Sequence, residues 1–163
     1  TCYPCSGLKN SVRSGGRFLR SLVDSMGMPV TDDTQLSAIL DSETIAVVGC
    51  STSPGKAAHD IPKYLLDHGY DVIPVNPFAD EIFGRAAYGS LADVPDEIDI
   101  VDVFRPSEEV PGIVDGVLQR DDVETVWLQL DITDDESGER VEESGRQFVH
   151  DRCLKVEHRR LVG

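Results

Sequence analysis

Five short apolar runs recur along the chain, at 44–48, 71–75, 98–104, 123–128 and 147–149. They are nearly continuous rather than alternating, which predicts strands covered on both faces. Helical spacing fills the gaps between them. One helix is expected over 58–68, with Ile61, Tyr64 and Leu65 inward and Gly69 as its stop. Pro62 fits that helix only near its first turn. A second is expected over 107–119, packing Val110, Ile113, Val114 and Val117, with Ser107 as its cap. An acidic helix over 134–144 stops at Gly145. Ahead of the first strand, Thr31-Asp32-Asp33-Thr34 offers helix caps, and Leu36, Ile39 and Leu40 form a short apolar stripe. Residues 78–92 show no clear period, and a short strand is expected around 86–88. Strands alternating with such helices predict right-handed βαβ units: an α/β, Rossmann-like three-layer sandwich with a mostly parallel sheet. In such sheets the ligand sits beyond the strands' C-terminal ends, here 49–56, 76–78, 104–107, 128–131 and 150–153.

The first of these ends carries the clearest chemistry. Gly49-Cys50-Ser51-Thr52-Ser53-Pro54-Gly55-Lys56 places a glycine and hydroxyls after a strand, with a lysine where a helix begins. Backbone N–H groups, hydroxyls and a cation so arranged suit a phosphate. A dinucleotide fingerprint needs Gly-x-Gly-x-x-Gly. Here those positions hold Gly49, Ser51 and Pro54, and Asn76 stands where an acid would bind a ribose hydroxyl. Both departures count against NAD. Gly49 also reads as an ordinary turn glycine, Lys56 as a solvated helix end, and Asn76-Pro77 as a plain turn. As site residues, Asn76 would supply an amide and Pro77 an apolar shelf for a base. In Phe104-Arg105-Pro106, Arg105 needs a partner, either an acid such as Asp102 or a ligand phosphate. Trp127 reads as core. Gln129 points away from Leu128, towards the site.

Catalytic constellations are thin. Residues 49–53 lack the second glycine of a nucleophile elbow. His150 and Asp151 diverge if extended, His59 falls at an exposed helix start, and His68 ends a helix, where an imidazolium is favoured. Cys153 beside Arg152 reads as a buried, inert thiol. No catalytic residue and no metal ligand is nominated.

Composition sharpens this picture. The 163 residues include 30 acids against 15 Lys and Arg, for a net charge of −15. A broadly acidic surface repels nucleic acid and resists self-association, and scarce lysine suits molar salt, so a halophilic, cytoplasmic protein is expected. No apolar run approaches a membrane span. Residues 1–28 differ, with Lys9, Arg13, Arg17 and Arg20 against Asp24. They are expected to be a disordered extension or the product of a mistaken start, with a basic arm as the alternative and a short helix at 17–23. The domain itself is expected over 29–163. Cys2 and Cys5 form one isolated Cys-x-x-Cys, short of the four ligands of structural zinc.

Read in order, several motifs resemble a known family: Ile45-Ala-Val-Val-Gly-Cys-Ser, Tyr64-Leu-Leu-Asp-His-Gly-Tyr-Asp-Val-Ile-Pro-Val-Asn-Pro, Tyr88-Gly-Ser-Leu-Ala-Asp-Val-Pro, Ile100-Val-Asp-Val-Phe-Arg, Trp127-Leu-Gln-Leu and Asp151-Arg-Cys. Over about residues 35–158 the chain looks like a stand-alone CoA-binding domain, similar to that of the succinyl-CoA synthetase alpha subunit. The resemblance implies a CoA or acyl-CoA site. Gly49, Ser51, Thr52 and Ser53 would hold phosphate, with Lys56 nearby. Asn76 and Pro77 would border the adenosine or pantetheine path, and Phe104, Arg105 and Pro106 would line the other side. Many family members carry an arginine-rich stretch where this chain has Gly55-Lys56-Ala57-Ala58, so phosphate binding here rests on one cation. The synthetase's phosphohistidine domain has no counterpart before Gly163, so ligase activity is not expected. The expected function is non-catalytic CoA binding. The alternatives are a partner-binding regulatory module with a vestigial pocket and an NAD-binding redox sensor or oxidoreductase. A protein partner is unspecified, and homo-oligomerisation is left open.

Overall fold

A computed structural model describes residues 30–162. The readings for residues 1–28, the Cys2–Cys5 pair among them, lie outside that range. Helix α1 (Asp33–Leu40) starts at Asp32, whose carboxylate accepts the Gln35 N–H, and buries Leu36, Ile39 and Leu40. Strand β1 (Thr44–Val48), helix α2 (Ala57–Asp67) and strand β2 (Asp71–Val75) follow. Next come a hairpin, β3 (Glu81–Ile82) with β4 (Arg85–Ala86), strand β5 (Ile100–Val103) and helix α3 (Val110–Leu118). Strand β6 (Thr125–Leu128), helix α4 (Asp135–Glu143), strand β7 (Gln147–Val149) and helix α5 (Leu154–Leu161) complete the chain.

The five long strands form one parallel sheet in the order β2-β1-β5-β6-β7. From β1 the chain runs outward to β2, then crosses back to β5 on β1's other side. The switch point therefore lies between β1 and β5. One face of the sheet buries Ile45, Val47, Val72, Ile100, Trp127 and Val149 with residues of α1, α2 and α5. The other buries Ala46, Val101, Val103, Val126, Leu128 and Phe148 with residues of α3 and α4. Gly138 lets α4 come close, because a Cβ there would meet the Phe148 ring at 2.6 Å. The three-layer α/β expectation is borne out. No helix among the described residues is long and apolar enough to cross a membrane.

Several local readings are corrected. Pro62 lies inside α2, beyond its first turn. The helix accepts it because the Ala58 carbonyl, deprived of the proline's N–H, is taken by the Ser51 N–H at 2.9 Å. Ser107 belongs to a short 3-10 turn, and its hydroxyl accepts the Thr133 N–H instead of capping α3. His59 is largely covered and packs on Phe83 with ring centroids 4.7 Å apart. The expected strand at 86–88 becomes β4 plus an isolated bridge from Tyr88 to Val75. Helix α5 was not foreseen. Its buried face includes Glu157 and His158, made tolerable by ion pairs from Arg152 and Arg160 and by Tyr64 Oη, 2.8 Å from His158 Nδ1.

Candidate functional site

A cavity of about 900 Å³ opens at the C-terminal ends of β1, β2 and β5, at the switch point. The β1 loop contributes Gly49, Cys50, Ser51 and Lys56, and the end of β2 contributes Asn76, Pro77 and Phe78. Phe104 and Arg105 line it after β5, Leu91 and Ala92 from the loop before β5, and Glu108, Glu109, Gly112, Ile113 and Gly116 from the α3 side. Of the candidates named from sequence, Gly49, Ser51, Lys56, Asn76, Pro77, Phe104 and Arg105 therefore converge. Thr52, Ser53, Pro106 and Gln129 do not line the cavity.

Gly49 is required by its surroundings. It has φ +89°, and a Cβ there would lie 2.7 Å from Arg105 Cδ and 3.3 Å from the Phe104 carbonyl carbon. Its N–H continues the ladder to the Val75 carbonyl at 2.9 Å. Three further amides of the loop are engaged within the protein. The Ser51 N–H goes to Ala58, the Ser53 N–H to Ser51 Oγ, and the Gly55 N–H to Asp60 Oδ1. These amides are used internally, and Arg105, Lys56 and Ser51 bring polar side chains to the cavity lining. Asn76 is a brace between loops. Its Nδ2 donates to the Cys50 carbonyl at 2.9 Å and its Oδ1 accepts the Phe78 N–H at 2.7 Å.

Within the protein Arg105 pairs with Glu109, not with Asp102, the acid foreseen. Its Nε donates to Glu109 Oε1 at 3.0 Å and its Nη2 to Oε2 at 2.7 Å. That hydrogen-bonded fork holds the Glu109 carboxyl below its ordinary range. Asp102 is fully buried on β5, in register with Val47 and Trp127. Gln129 is buried too. It donates to Asp102 Oδ1 at 2.6 Å and accepts the Leu154 N–H at 3.3 Å. It is held in the interior, away from the cavity lining, a correction to its assignment as a ligand contact. Asp102 Oδ2 has no hydrogen-bond partner among the described residues. Burial pushes this carboxyl up to about 7, with the Gln129 hydrogen bond pulling the other way. Burial, then the neighbouring Asp102 charge, pushes the Cys50 thiol up to about 12, so it is a poor nucleophile.

Sequence reasoning missed Leu91, Glu109 and the two α3 glycines, and reached Phe78 only as part of the strand end at 76–78. Phe78 stands 95% exposed at the cavity lip. Gly112 and Gly116, four apart in a helix, strip one wall of side chains; a Cβ at 112 would meet nothing within 4 Å. Two glycines at that spacing inside an apolar helical pattern were a usable signal.

A parallel α/β sheet with a cavity at its switch point defines a Rossmann-like binding domain. The chain belongs to the family described as the CoA binding domain, whose sequence model matches residues 43–159. The uncharacterized protein YneT of Bacillus subtilis is 41% identical over 117 residues, which is 72% of this chain and 86% of that protein. The alpha subunit of an ADP-forming acetate–CoA ligase of Pyrococcus furiosus is 35% identical over 91 residues, 52% of this chain but 20% of the subunit. Among solved structures, a hypothetical protein from Pyrococcus horikoshii OT3 superimposes with a TM-score of 0.79 at 37% identity, covering 83% of this chain and 97% of that one. The resemblance stated from the motifs is thus borne out at the level of the family.

Proposed function

We propose that this protein binds CoA or acyl-CoA in the switch-point cavity and performs no bond chemistry there. The cavity's two-part character carries the reading. Its lining combines Arg105, Lys56 and the Ser51 hydroxyl with Leu91, Ile113 and the bare backbone at Gly112 and Gly116. A molecule with phosphates at one end and a slender chain at the other has that chemistry. Phe78 and Pro77 offer flat apolar surface to a base. The volume lies at the upper end of the range for small-ligand pockets, roughly 300–1,000 Å³.

The absence of chemistry rests on the lining. No histidine lines the cavity among the described residues, Cys50 is held as a thiol, and Glu109 is engaged with Arg105. The ligase reaction of relatives such as the Pyrococcus subunit is therefore not assigned to this cavity.

Bound CoA should raise the thermal unfolding temperature with its concentration, adding about 2.7 kcal/mol at a hundredfold excess over Kd. Acetyl-CoA should act similarly, and NAD should not. No shift with CoA or acetyl-CoA at millimolar levels, in molar salt, would refute the reading.

A further inference from the structure

Arg105 lies where the end of β1 would let a phosphate approach the backbone. Its stem crosses Gly49, with Cδ 2.7 Å from where a Cβ would be. Its guanidinium ends in a two-point fork on Glu109, at 3.0 and 2.7 Å, and both residues line the cavity. Arginine holds a phosphate with the same fork. The carboxylate thus fills the seat that a ligand phosphate would take.

We infer that Glu109 is an internal competitor for Arg105, so that only a polyphosphorylated ligand displaces it. The inference rests on the CoA reading of the cavity. The pair is of modest strength, because both side chains are 46% exposed, so a ligand must bring more charge than one carboxylate to displace it. A ligand with a single carboxylate offers Arg105 nothing that Glu109 does not already supply. A ligand carrying several phosphates brings more charge and also reaches Lys56. Glu108, which lines the same wall, adds repulsion that weakly binding anions do not overcome. Glu109 is in this sense a specificity-determining residue.

The test is calorimetric titration of the full chain with CoA, for wild type, Glu109→Gln, Arg105→Ala and the double variant. Glu109→Gln should tighten CoA binding about three- to tenfold by removing both competition and repulsion. It should also let inorganic phosphate compete with CoA at concentrations that leave the wild type unaffected. In the Arg105→Ala background the same substitution should give a much smaller gain, since the competition acts through Arg105. Weaker or unchanged CoA binding in Glu109→Gln overturns the inference, the former by making Glu109 a positioning residue. An equal gain in both backgrounds overturns it too, leaving only through-space repulsion. If CoA binds none of the four proteins, the CoA reading fails. Pyrophosphate then decides the inference alone: tighter binding to Glu109→Gln supports it, and any other result overturns it.

Discussion

The C-terminal edge of the sheet has two halves that differ in kind. Around β1, β2 and β5 the edge is open, and side chains face a cavity. Around β6 and β7 it is sealed by the chain's own hydrogen bonds. Gln129 ties Asp102 to the start of α5, Trp127 Nε1 donates to the Arg152 carbonyl at 2.8 Å, and Asp151 accepts the Asp131 N–H at 2.8 Å. Topology produces the difference. Connections leave β1 and β5 in opposite directions and open a crevice between them, whereas β5, β6 and β7 follow in one direction and their loops close over the edge. Substitutions in the sealed half should change stability and leave binding alone. Those in the open half should change binding.

Asp102→Asn should have the largest effect. Its folded-state pKa of about 7 lies above the ordinary 3.8. The folded protein therefore holds this proton longer than the unfolded chain does. Stability falls as pH rises from about 4 to about 7, and the full cost is present above that window. The variant should lose this slope, gaining up to about 4 kcal/mol on the wild type across the window, read by denaturant unfolding at each pH. Buried His158, pushed down by burial and by His68, contributes the opposite slope below about 6.5 in both proteins, so the difference between them isolates Asp102. Equal slopes would show that Asp102 is not the buried acid described.

Gly49→Val should follow, costing about 3 kcal/mol through the positive φ and the collision with Arg105. It is the one substitution in the open half expected to damage both stability and CoA binding, checked by unfolding and titration together. Gln129→Ala should cost about 2 kcal/mol by orphaning Asp102 and the Leu154 N–H, with CoA affinity unchanged. A large loss of affinity would break the distinction between the halves. Lys56→Glu should leave unfolding unchanged and weaken CoA binding by about 1 kcal/mol. Unchanged affinity would remove Lys56 from the site.

These contrasts also mark what was legible in the sequence. The strands were, because burial on both faces leaves few polar positions in a run such as Ile45-Ala-Val-Val. The switch point's outer residues were as well, since Gly49, Asn76 and Arg105 each break a strand abruptly. Gln129 misled because its direction relative to Leu128 is readable but strand order is not; only the order places β6 in the sealed half. Helix α5 was hidden because Glu157 and His158 stand on its buried face, and the partners that satisfy them lie on other segments. His59 was read as exposed because Phe83, which covers it, sits on a hairpin whose turn, with φ 60° at Phe83 and 73° at Gly84, has only one glycine as a signal. The internal use of the Ser51 amide was hidden for a related reason. Pro62 frees a carbonyl for Ser51, a bond visible only once α2 is placed beside the loop.

The most direct test of the account is a backbone amide NMR titration with CoA. Resonances of the non-proline residues in 49–56, 76–78, 104–105 and 109–116 should shift in a saturable way, while those of 129 and 150–154 stay in place. Shifts centred on the β6 and β7 ends, or none at saturating CoA, would contradict it.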